Sequence, residues 1–166
     1  VHRTPRILPA DAKGILRGDV VIEGTGDPDF QVENAFLAAA ALNRVGVKQV
    51  TGFLVVNGKF WMGWEDGSAG MERDPGRRAA LMGMRLRLAL DAKTWSRATR
   101  AAWRAFAVRR SLYPDQPPRV AIAKGVRVSA DVSDAPVAVV HRSKPLADTL
   151  RRFNCFSNND IERGGA

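Results

Sequence analysis

Near the end of the chain, Ser157-Asn158-Asn159 sets a hydroxyl two residues before a carboxamide. A hydroxyl and a carboxamide can each both donate and accept hydrogen bonds, so a pair held in place can act as part of a polar site. Neither group is a nucleophile unaided, because a serine hydroxyl attacks only when a nearby base removes its proton. The same residue types also end helices and form turns by bonding to local backbone. The preceding segment favours a positioned site over a plain cap. Leu146, Leu150 and Phe153 recur at helical spacing after Pro145, which predicts an amphipathic helix that buries one face and presents Ser157 and Asn159 from a packed support.

Other residues able to do chemistry point elsewhere or nowhere. Gly24-Thr25-Gly26 follows an apolar run as a dinucleotide loop would, but the third glycine is missing and Asp27 would stand where a phosphate should bind. A structural turn fits better, with Asp27 capping the helix after Pro28. His2 and His141 have no companion ligands, so no metal site is expected. Cys155 is the single cysteine, which excludes an internal disulfide, and its place between Phe153 and Phe156 suits a small buried residue. None of the serines has a lysine three residues on, and Lys93-Thr94 is followed by Trp95.

The elements that would carry these groups alternate. Arg3 to Leu8 and Ile15 to Ile22 read as strands joined as a hairpin through the Asp11 to Gly14 turn, the second interrupted at Gly18-Asp19. Val32, Phe36, Leu37, Ala40 and Ala41 predict an apolar helix face ending at Gly46, and Val47 to Val56 returns as a strand. The order strand, helix, strand predicts a mixed α/β sheet with the helix on one side. A glycine-rich loop from Asn57 to Gly76 holds Phe60, Trp61 and Trp64, whose large apolar area predicts packing rather than a sugar groove. Helices are expected over Arg77 to Leu90 and Thr94 to Arg110, the second with Trp95, Ala102, Trp103 and Phe106 on one face and arginines on the other. Pro114 to Pro118 reads as a linker, and Val120 to Val128 and Val137 to Val140 as strands; no internal repeat is evident.

The 166 residues are 45% hydrophobic, enough to build a core. No apolar run is long enough to cross a bilayer. The formal charge of +9 is concentrated in the arginines between Arg77 and Arg110. That excess favours an anionic partner, whether nucleic acid, membrane surface or wall polymer, unless it only solvates helix faces. No recognised nucleic-acid motif accompanies the arginines, so no specific nucleic acid is expected.

Three segments together resemble a known family. Leu16 to Pro28, Gly46 to Asn57, and the stretch from Ser143-Lys144-Pro145-Leu146 through Ser157-Asn158-Asn159 are similar in order and spacing to the D-alanyl-D-alanine carboxypeptidase/endopeptidase family, the class C low-molecular-mass penicillin-binding proteins. The resemblance covers most of residues 1 to 60 and 125 to 159 and is faint between. It implies a penicillin-binding/β-lactamase-like serine transpeptidase fold in which residues 1–130 are mostly an inserted region and 131–166 return to the catalytic domain. Such enzymes use Ser-x-x-Lys, Ser-x-Asn and Lys-Thr-Gly motifs. By resemblance Ser157 relays protons and Asn159 both serves catalysis and binds the substrate's peptide carbonyl, while Asn158 has no direct role. The implied substrates are peptidoglycan stem peptides ending in D-Ala-D-Ala, with β-lactams as further partners of the full-length protein, no cofactor, and an extracytoplasmic or periplasmic location. The first and third motifs are absent, so the chain is expected to be an internal fragment, inactive alone. The run Asp160-Ile161-Glu162-Arg163 and two glycines departs from the family's continuing helix. Two other readings are a basic nucleic-acid-binding protein and a non-catalytic wall-binding module.

Overall fold

The computed structural model describes residues 10–26, 30–63, 72–130, 140 and 142. The strand expected over Arg3 to Leu8 and the helix expected from Pro145 lie outside these residues, as does all of the Val137 to Val140 strand except Val140. The described elements follow the order β1 (Ile15–Leu16), β2 (Val20–Ile22), α1 (Val32–Arg44), β3 (Gln49–Val50), β4 (Leu54–Val56), α2 (Pro75–Leu90), a 3₁₀ turn (Ala92–Thr94), α3 (Arg97–Arg109), β5 (Ala121–Ile122) and β6 (Val126–Val128). The mixed α/β class expected from the sequence is the class observed.

Three passes of chain lie side by side, and each is broken in the same place. Ile15 pairs with Gln49 and Gln49 with Ala121; beyond the break Val20 pairs with Leu54 and Leu54 with Val126. Every one of these pairings is parallel, with the 49–56 pass in the middle. Parallel neighbours require a crossover, which α1 supplies between the first two passes and α2 and α3 supply between the second and third. The interruption expected at Gly18-Asp19 is therefore present, but the 15–22 segment pairs along its length with the 49–56 pass. Its one described antiparallel contact is the bridge from Ala10 to Leu16. The break also recurs in all three passes, a structural repetition that the unlike sequences of the passes conceal.

Backbone groups remain paired through the break, by backbone bonds between passes and by side chains where the ladder lapses. Gly52 N–H donates to the Gly18 carbonyl at 2.8 Å, and Lys124 N–H to the Gly52 carbonyl at 3.0 Å. Phe53 N–H donates to Asp19 Oδ1 at 2.8 Å and Gly18 N–H to Thr51 Oγ1 at 3.1 Å. Such close approach requires glycine at position 52, where a Cβ would overlap both the Asp19 carboxylate and the Gly18 carbonyl. Gly52→Ala is expected to destabilise the chain by about 1–3 kcal/mol, the usual cost of forcing a group into packed space. A urea midpoint unchanged from the parent would contradict this packing.

The central strand is covered on both faces: Leu54, Val55 and Val56 are all buried. α2 lies directly on β4 and β6, where a Cβ at Gly83 would stand 2.6 Å from Val126 Cγ1 and 3.1 Å from Val56 Cγ2. The helix begins one turn-defining residue after Asp74, whose carboxylate accepts from Arg77 N–H at 2.7 Å, with Pro75 in the first turn where its missing N–H costs nothing. Met82, Leu86, Ala89 and Leu90 bury the face towards the sheet and α1.

α1 buries Ala35, Phe36, Ala39 and Leu42, while Leu37, expected on the core face, is 36% exposed. The helix is apolar almost all round, so spacing alone does not select a face; contacts with α2 and α3 do. Its end agrees with expectation, since Gly46 follows at φ 88°, a left-handed conformation that favours glycine. Its start does not. The N-cap is Gln31, four residues beyond Asp27, and Gln31 makes no side-chain capping bond; Asp27 itself is outside the described residues.

α3 starts later than Thr94 because Ser96 caps it, accepting from Thr99 N–H at 3.1 Å, and Ala92–Thr94 forms a separate 3₁₀ turn. Phe36 is the centre of a buried aromatic group, with ring centroids 4.9 Å from Trp95, 5.5 Å from Trp103 and 5.9 Å from Phe106. The face expected for Trp95, Trp103 and Phe106 is thus the face that holds α3 to α1. The Pro114 to Pro118 stretch is not a free linker: Trp103 Nε1–H donates to the Pro114 carbonyl at 2.7 Å, and Pro118 is buried as the chain enters the third pass. Phe60 is buried with its ring edge-on to Phe30 at 5.6 Å, as the packing reading required; Trp64 lies outside the described residues.

Candidate functional site

Ser157 and Asn159, the residues on which the sequence reading places catalysis, lie outside the described residues, as do Asn158, Cys155, His2 and His141. The structure describes the α/β body that precedes them in the chain. Within that body, hydroxyls and charges can be accounted for one by one.

Three described hydroxyls take part in local hydrogen bonds to backbone. Thr94 Oγ1 lies 2.8 Å from both the Leu88 and Asp91 carbonyl oxygens and shares its one proton between them, so the Lys93-Thr94 pair belongs to the turn between α2 and α3. Ser96 Oγ caps α3 and lies 2.9 Å from Thr99 Oγ1. Thr51 Oγ1 serves the break between β3 and β4. Of the three, Thr94 has its proton engaged by backbone carbonyls, while Ser96 and Thr51 accept from backbone N–H groups. Among the described residues no group of three or more His, Cys, Asp or Glu side chains could hold a metal ion, and no helix is long and apolar enough to cross a membrane.

Two polar clusters escaped the sequence reading. At the end of α2, Asp91 Oδ1 accepts from Lys93 N–H at 3.0 Å and from Arg119 Nε at 2.9 Å. Asn43 of α1 completes the clamp, donating to the Val47 and Arg119 carbonyls, each at 2.8 Å, and accepting from Arg119 N–H at 3.1 Å. Three elements are tied together there with every bond internal, which is the behaviour of a structural joint. The second cluster sits at the break in the sheet. The Arg127 guanidinium lies 4.1 Å from the Phe53 ring centroid and the Lys124 ammonium 5.6 Å from it, while Asp19 Oδ2 is 3.9 Å from Arg127. Cations favour the ring face, and Asp19 balances part of their charge. Both clusters join residues more than 25 positions apart, which no local spacing can reveal.

Comparisons with known proteins divide clearly. No protein-family model matches the chain, and no curated protein matches it significantly. Solved structures do. Bd3459, a predatory peptidoglycan endopeptidase from Bdellovibrio bacteriovorus, superposes with a TM-score of 0.56 at 19% identity, covering 86% of this chain and 38% of that one. Bd0816, a predatory endopeptidase from the same organism solved in complex with immunity protein Bd3460, gives 0.54 at 21% identity with the same coverage. A penicillin G-acylated form of Bd3459 in complex with Bd3460 gives 0.50 at 22% identity, over 86% of this chain and 34% of that one. The chain spans less than two-fifths of the length of the structures it resembles. At these identities the likeness is one of fold: the described α/β body is built as part of a peptidoglycan endopeptidase is built.

Proposed function

We propose that this chain is part of a serine-type peptidoglycan peptidase, a D-alanyl-D-alanine carboxypeptidase/endopeptidase that works through an acyl-enzyme outside the cytoplasmic membrane. The observation that carries the reading is the convergence of two independent lines. The fold resembles peptidoglycan endopeptidases, one of them acylated by penicillin G, and the sequence resemblance to penicillin-binding carboxypeptidases rests on motifs rather than on that superposition. In this reading residues 1–130 are mostly an insertion and 131–166 re-enter the catalytic domain. Ser157 relays protons beside a nucleophile supplied from elsewhere in the protein, and Asn159 donates its amide to the substrate carbonyl. Stem peptides ending in D-Ala-D-Ala are the substrates and β-lactams the acylating inhibitors.

The test is covalent labelling by a fluorescent penicillin. A longer protein that contains this segment together with a Ser-x-x-Lys serine is expected to keep the label after denaturation, and the 166-residue chain is expected to remain unlabelled. Acylation needs the hydroxyl of that serine and its neighbouring lysine, and no serine here has a lysine at that spacing. Absence of label on the longer protein would remove the peptidase reading. Label on the chain alone that disappears in Ser157→Ala would instead show that it holds its own nucleophile.

A further inference from the structure

α3 carries Arg97, Arg100, Arg104 and Arg109 and neither Asp nor Glu. Arg109 lies 3.9 Å from Glu33, and Arg110, just past the helix, stacks its guanidinium 5.6 Å from the Phe106 ring. Arg97 and Arg104 are exposed, and their side chains have no ion-pair or hydrogen-bond partner among the described residues. Seven residues apart on an α-helix, they face within about 20° of one another and stand about 10 Å apart along the axis. Arg100 lies between them, exposed, with Nε donating to the Trp95 carbonyl at 3.3 Å. Trp103, Phe106 and Ala107 bury another face of the helix against the aromatic group around Phe36, so this row is fixed in direction.

Beyond the row along the chain come apolar side chains that are exposed. Val108, four residues beyond Arg104, is 69% exposed, and Leu112 and Tyr113, just past the helix, are 42% and 75% exposed. The bend that brings them there is held by Ser111 at φ 54° and by Leu112 N–H donating to the Ala107 carbonyl at 2.8 Å. The first carboxylate beyond α3 is Asp115, past Tyr113. A purely polyanionic partner would use the arginines and leave the apolar tip in water. An anionic bilayer uses both, with guanidinium groups at lipid phosphates and aliphatic and aromatic side chains in the interfacial layer.

We propose that the outer face of α3, from Arg97 through Arg104 to Val108, Leu112 and Tyr113, is a docking surface for an anionic membrane. This stands independently of the peptidase reading, because it rests only on the charge and exposure of α3. It is tested by co-sedimenting the full 166-residue chain with vesicles of phosphatidylcholine alone and with phosphatidylglycerol added. Binding is expected only with the anionic lipid and is expected to weaken as salt rises. Arg97→Gln and Arg104→Gln should each lower the partition coefficient about five-fold, as removal of one basic group near a charged bilayer does. Tyr113→Ser should lower it about ten-fold while leaving the salt dependence in place. All three positions are exposed, so unchanged melting temperatures are expected and verify that the variants fold. Failure to bind anionic vesicles overturns the proposal. So does equal binding by Tyr113→Ser together with undiminished capture on heparin, which would make the face a polyanion site, and so does a dimer that Tyr113→Ser dissolves, which would assign the face to a second copy.

Discussion

Ser157→Ala and Asn159→Ala, each made in a longer protein that carries this segment with its nucleophile, are expected to slow acylation by β-lactam and by D-Ala-D-Ala peptide about 10²- to 10⁴-fold. That is the range lost when a positioned proton-transfer group is removed. The effect should fall on the acylation rate, because a hydroxyl that relays a proton acts as the bond forms, whereas a hydroxyl that only caps a helix acts on folding. Melting temperature should therefore stay nearly constant in both variants. Asn158→Ala is the internal control, with no direct role in the proposed site and a small expected effect. Stopped-flow acylation alongside thermal melts separates the alternatives: if all three variants lose stability together and keep the rate, the tripeptide is only a helix end.

The largest expected effect on stability is at Phe36. Its ring is fully buried and touches the ring system from three sides, through Trp95, Trp103 and Phe106. Phe36→Ala removes the group that joins α1 to α3 and leaves a cavity that rigid indoles cannot easily collapse into, so a loss of about 3–5 kcal/mol is expected. For a chain of this size that corresponds to a fall in melting temperature on the order of 10 °C. Leu37→Ala, one residue on and partly exposed, should cost only about 0.5 kcal/mol, as surface substitutions usually do. The pair discriminates the observed packing of α1 from the face that its spacing suggests. Equal losses at the two positions would place both side chains in the core and contradict the structure.

Local chemistry was legible in the residues themselves. The end of α1 at Gly46, the body of α2, the aromatic face of α3 and the break at Gly18-Asp19 all follow from neighbours a few positions apart, because caps, turns and helical periodicity are short-range effects. The start of α3 at Ser96 was also a local signal, and the extent assigned from Thr94 passed over it. The Ser-Asn-Asn tripeptide is legible in the same way as a motif, although the residues that carry it lie outside those the structure describes. Tertiary structure decided everything that depends on partners far along the chain. The three parallel passes pair Ile15 with Gln49 and Gln49 with Ala121, and their common break is invisible until those pairings exist. The face of α1 expected from spacing, Val32, Phe36, Leu37, Ala40 and Ala41, shares only Phe36 with the buried set, because apolar residues surround the helix and only the positions of α2 and α3 decide which of them water reaches. Gly52 falls within the expected Val47 to Val56 strand and Gly83 within the expected Arg77 to Leu90 helix, and only the fold shows that their lack of a Cβ is what allows neighbouring passes, and a helix and a sheet, to close to van der Waals contact.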